Sequence, residues 1–143
     1  MEPRSFFRWM PTAIVLWVLV GLFTFGAGLS LWMARQAARG STQNAAIGDS
    51  RHLTRWFLRG AVWDIVVAAL CIVGWYLMRQ RVSGKIGLGA IAVMGAALII
   101  FSRSAYWMCR GASFEYWCDS LFELPFLVYA IIYAYRECRK AAA

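Results

Sequence analysis

Lysine, histidine and proline are scarce in this chain. Lysine occurs only as Lys85 and Lys140, histidine only as His52, and proline as Pro3, Pro11 and Pro125. With so little lysine, a polybasic tail that would hold an anionic surface is weak at best. A zinc site needs several nitrogen or sulfur ligands, and His52 has no His or Cys near it in the sequence. It reads as a solvated loop histidine. No nucleophile–base–acid set and no phosphate-cradling glycine loop is present, so no catalytic residue is assigned. Low-complexity segments and internal repeats are also missing. The four cysteines include no Cys-x-x-Cys.

Apolar residues are what the chain has. They make up 62% of its 143 residues, where soluble domains stand nearer half. They also come in long runs. Residues 12–34 carry no charge and are long enough to cross a bilayer core of about 30 Å at 1.5 Å per residue. Arg4 and Arg8 precede this run, as in a secretory signal, but its apolar stretch is too long and no small-x-small site follows. We read it as a retained signal-anchor and first span. Further spans are expected at 56–78, 86–108 and about 117–135. The predicted fold is all-α: a polytopic bundle of four transmembrane helices running up and down, forming a single domain over residues 1–143.

Between the first two spans, Arg35 to Arg55 is polar and rich in Gly, Ser, Asn and Gln, which predicts an extended loop. The connection holding Arg79, Arg81 and Lys85 is short, so the second and third helices must be antiparallel neighbours. In the fourth span Pro125 allows two readings. It breaks a helix that starts near Tyr116, or it occupies the tolerated first turns of one that starts near Ser120.

Small residues mark where membrane helices approach closely. Gly21 and Gly28 in the first span, and Gly87, Gly89 and Gly95 in the third, are the candidate packing positions. Their density makes the third helix the expected most enclosed one.

The formal net charge is +8. The arginines flank apolar runs and form no basic face, which excludes nucleic acid as a partner. The expected companions are membrane lipids and other membrane subunits or copies of the same chain. No cofactor is expected, though a bound lipid is compatible with the composition. Positive charges are nearly balanced across the two sides. Arg4 and Arg8 before the first helix favour cytoplasmic termini, both on one side.

Depth singles out one cluster. Asp64 lies roughly 10 Å into the second span, Arg103 near the end of the third, and Glu123 near the start of the fourth. Asp119 is one turn before Glu123 on the same face. In an up-down bundle these residues share one end. A charge at that depth must be paired, protonated or wetted. The cluster is therefore either a clamp fixing helix order or a polar pocket for an ion, a proton or a lipid headgroup. Cys109 and Cys118 bracket the last turn, where a disulfide would staple the hairpin. Quinone-linked redox chemistry would need a second cysteine pair, and Cys71 and Cys138 are not placed to form one.

Three functions remain open at this level. The first is a structural or accessory subunit of a membrane complex. The second is a homo-oligomeric channel or transporter using the Asp/Arg/Glu cluster. The third is a small redox or lipid-handling enzyme.

Overall fold

The computed structural model describes residues 13–43, 49–109, 111 and 114–143, with the side chains of 40–43, 49–53, 107 and 114–122 outside that description. The chain forms four α-helices: α1 (Ala13–Gln43), α2 (Asp49–Arg79), α3 (Ser83–Cys109) and α4 (Phe114–Ala142). Three of them hold segments long and apolar enough to cross a membrane: Ala13–Arg39, Thr54–Arg79 and Ser83–Tyr106. The described part of α4 does not qualify on those criteria. Its charge-free stretch runs only from Leu124 to Tyr135, roughly 18 Å of helix.

The long polar loop expected between the first two spans is helical at both of its ends, and its middle, 44–48, lies outside the described residues. α1 continues to Gln43 and α2 begins at Asp49. The physical reason is propensity. Arg35, Gln36, Ala37, Ala38 and Arg39 are all strong helix formers, and Asp49 suits the positive end of the helix dipole. A polar composition alone does not end a helix.

Each helix packs on the next, and α4 returns lightly to α1. The registers show the first two pairs to be antiparallel. Trp17 of α1 meets Trp75 of α2 edge-on, with ring centroids 5.1 Å apart, while Gly26 approaches Asp64 and Ser30 approaches Gly60. Between α2 and α3, Gly74 meets Gly89 and Leu70 meets Gly95. Two residues in left-handed conformations end the helices. Arg81 (φ 52°) follows α2, and Gly111 (φ 67°) follows α3. The Gly111 amide donates to the Met108 carbonyl at 3.2 Å, as a C-terminal glycine cap does.

Small side chains fill much of the interior, beside larger ones such as Leu16, Leu19, Phe23 and Ile100. Ala27, Ala34, Ala61, Ala68, Ala96, Ala97, Ala130 and Ala134 are all buried. Many other large apolar groups point outward: Phe25 is 72% exposed, Ile91 68% and Leu98 66%. Water would not tolerate such a perimeter on a stable monomer, whereas a bilayer requires it. Small residues inside let the backbones approach closely, which is how helices associate in lipid.

The closest approach is between α2 and α3. A Cβ on Gly89 would lie 2.7 Å from the Gly74 carbonyl oxygen, and one on Gly74 would lie 2.7 Å from Val93 Cγ2. Of the expected packing glycines, Gly89 alone sits in a contact this tight. Gly95 has only Leu70 within ordinary contact, and Gly21, Gly28 and Gly87 face open space. The expected ranking of enclosure is also reversed. The apolar window of α2 is 39% buried against 33% for α3, because α2 lies between α1 and α3 and shares its most extensive seam with α1.

Gly89→Ala must push a methyl into the Gly74 backbone, which cannot give way as a side-chain end can. The variant should lose about 1–3 kcal/mol of stability, the usual range for overpacking. Gly87→Ala should be neutral or slightly stabilising, because alanine favours helix over glycine. Thermal unfolding of both variants in the same detergent checks the contrast. Equal melting temperatures would remove the close crossing.

Candidate functional site

Among the described residues, Asp64 is the only buried charged side chain. It belongs to the inner face of α2, along with Ala61, Val67, Ala68 and Cys71. Helical spacing therefore turns it toward its neighbours, and a short carboxylate cannot reach the membrane surface as a long side chain can. The fold resolves this from both sides. Gly26 of α1 leaves room for it: a Cβ at Gly26 would come within 3.2 Å of Asp64 Oδ2. From α3, Arg103 Nη1 donates to Asp64 Oδ1 at 2.6 Å. No buried side-chain nitrogen or oxygen among the described residues lacks a hydrogen-bond partner.

The pair is asymmetric. The Asp64 side chain is 7% exposed and that of Arg103 is 44% exposed. One edge of the guanidinium neutralises the acid while the rest faces outward, and arginine has five N–H donors in all. The outward side opens onto a cleft of about 710 Å³. Ser30 of α1 contributes to it. Trp56, Arg59, Gly60 and Trp63 of α2 form one wall, and Leu98, Ser102, Arg103 and Tyr106 of α3 form the other. Its volume falls within the range of about 300–1,000 Å³ typical of small-molecule sites.

The structure thus brings Asp64 and Arg103 into one ion pair. Glu123 is half-buried on α4. The side chain of Asp119 lies outside the described residues, as does that of His52, which falls within helix α2. Charge and depth could identify Asp64 and Arg103 beforehand. Gly26, Arg59, Gly60 and the aromatic walls were not legible as site residues. Their only signal was recurrence at one end of the spans, where aromatics and arginines are expected anyway.

Cysteine does not supply the expected staple. Cys109 is an exposed free thiol, and the side chain of Cys118 lies outside the described residues. Cys109 closes α3, while Cys118 stands about 6 Å along α4 from Phe114. A disulfide requires Cα atoms within about 7 Å and converging Cβ vectors. Two cysteines on separate helices meet that condition only when both face the shared seam. Cys71 is buried among aliphatic groups and is also free. No set of three His, Cys, Asp or Glu that could hold a metal occurs among the described residues. Pro125 is inside α4, which decides between the two starts considered for that helix. Its ring leaves the Leu121 carbonyl without a helical donor.

No protein family, curated protein or solved structure matches this chain.

Removing Arg103 leaves a buried, uncompensated carboxylate. Arg103→Leu should cost about 3 kcal/mol, at the lower end of broken buried pairs because the arginine is half-exposed. The double variant Asp64→Leu/Arg103→Leu should recover most of that loss, since no buried charge remains. Unfolding in detergent, compared as a double-mutant cycle, measures the coupling. Additive losses would show that the two side chains do not depend on each other.

Proposed function

We propose that this chain is a non-enzymatic integral membrane protein of four spans that acts as a structural or accessory subunit. It packs in the bilayer against other membrane chains or against further copies of itself. The outer face of α1 supports this reading. Gly21, Thr24 and Gly28 are exposed, and a Cβ on either glycine would meet nothing within 4 Å. At 100° per residue, Gly21 stands roughly 140° round the helix from Leu16. Leu16 is buried with Leu19, Phe23 and Ala27 on the inner face. The glycines are therefore notches that this bundle does not use. Exposed apolar groups such as Phe25 and Trp32 flank them. Such a notched face lets the backbone of another transmembrane helix approach closely.

In this arrangement α4 is the fourth span, with Arg136, Arg139 and Lys140 marking its exit from lipid. Its short charge-free run is accommodated by local thinning of the bilayer or by neighbouring helices. Both termini lie on the cytoplasmic face, following Arg4 and Arg8. The already neutralised Asp64 weighs against a proton or ion path, which would need a continuous polar stripe. No cofactor enters this role. The partners are membrane lipids and other membrane proteins.

Native mass spectrometry of the protein gently extracted from its own membrane should show it with other chains in fixed ratio, or as a multiple of its own mass. Gly21→Leu/Gly28→Leu should shift that species to monomer by about tenfold, with the helical signal intact, as the loss of about 1.4 kcal/mol of close helix contact would do. A wild-type chain found only as a monomer would overturn the subunit role.

A further inference from the structure

The cleft between α2 and α3 is graded along the membrane normal, and the subunit role does not account for that grading. Trp56 and Phe57 stand at the start of the span expected at 56–78, and Tyr106 near the end of the one expected at 86–108. These aromatics mark the interface with the headgroups. Counted from the spans expected at 56–78 and 86–108, Arg59 is about 5 Å inside the second and Arg103 about 8 Å inside the third. Arginine side chains at those depths bring their cations up to the level of the lipid phosphates. Deeper still, the walls are Trp63, Leu98 and Ile99, with Leu98 66% exposed to the bilayer side. The mouth is cationic and hydroxylated, while the depth is apolar.

The charge arithmetic is also specific. Asp64 and Arg103 cancel, and among the described residues Arg59 makes no ion pair. The described lining of the cleft therefore carries one uncompensated positive charge, together with the outward guanidinium N–H donors of Arg103.

We propose that this cleft binds one anionic phospholipid from the surrounding bilayer. Its phosphate is held by Arg59 and by the free edge of Arg103, and its upper acyl chain lies against Trp63 and Leu98. The ion pair fixes the binding group in place. Asp64 orients the Arg103 guanidinium, whose remaining donors point into the mouth. A free anion would need only the mouth, and a partner helix would gain nothing from two cations there. The gradation from charged to apolar matches an amphiphile. The site does not involve the Gly21–Gly28 face of α1, so it stands independently of subunit assembly.

The test uses the full chain in mild detergent, with dioleoyl phosphatidylglycerol and dioleoyl phosphatidylcholine supplied in equal amounts as probes of identical tails. Native mass spectrometry should show one phosphatidylglycerol retained in preference to phosphatidylcholine by about tenfold, the scale of one charge-assisted contact. Arg59→Gln should abolish that preference. Arg59 is exposed and makes no ion pair among the described residues, so this variant leaves the bundle intact. Gly60→Leu provides a second check, since the nearest atom to a Cβ there is Ser30 Oγ at 3.9 Å. The added side chain should fill the cleft and displace the lipid with both cations still present. Arg136→Gln, at the opposite end of the bundle, should change nothing. Equal retention of the two lipids would overturn the proposal, as would an Arg136→Gln effect as large as that of Arg59→Gln. Displacement of the phospholipid by millimolar inorganic phosphate would reassign the mouth to a free anion. A co-purifying chain that excludes the lipid would reassign the cleft to a partner helix.

Discussion

A carboxylate on the inner face of a membrane helix has nowhere to go. Asp64 is too short to reach the surface and too polar to remain alone in a low-dielectric interior. The pairing with Arg103 meets this constraint, and other features of the bundle follow from it. α2 and α3 must hold a register that keeps the two side chains within hydrogen-bond reach. α1 must be thin where it passes the acid, and Gly26 supplies that thinness. An ion pair of this kind contributes little net stability against an apolar replacement. Its effect is on specificity, because a slipped register would strand a buried charge.

The same register sets the second close contact. About three turns further along α2, Gly74 and Gly89 bring the α2 and α3 backbones together. A seam with a charge pair near one end and a glycine crossing toward the other is constrained at two points. Between them the seam holds Ala68, Ala96 and Ala97 with Val67, Cys71, Val93 and Ile100, while many large aliphatic and aromatic groups are turned outward. With lipid tails as apolar as leucine, close backbone approach and polar pairing replace the hydrophobic drive of a soluble core. The exposed aromatic ends, such as Trp17 on Trp75 with Arg79 5.2 Å above the Trp75 ring, fit the headgroup region.

Because Arg103 reaches inward to the acid with one edge only, its other donors remain available in the cleft. The structural role and the proposed lipid role thus share one side chain without competing. The clamp makes the guanidinium rigid, and a rigid donor loses less entropy on binding an anion than a free one. The α1 face with Gly21 and Gly28 is physically separate, so assembly with partners and lipid binding can be tested and can fail independently.

Sequence alone determined that the chain carries runs long and apolar enough to cross a membrane, roughly where its helices run, and that Asp64 and Arg103 share one end of the second and third helices. Each of these follows from local quantities: run length, charge position and the parity of crossings. Tertiary structure decided the rest. Gly74 and Gly89 became the crossing while Gly21, Gly28 and Gly87 were left in open space, because a close approach depends on rotation about the helix axis, which composition does not specify. Arg35 to Arg55 became mostly helix because propensity outweighed polarity. Cys109 is a free thiol, and a short separation in sequence does not by itself set the Cβ directions that a disulfide needs. The cleft exists only where two walls meet, and its residues come from helices whose facing sides are set by the packing of the whole bundle.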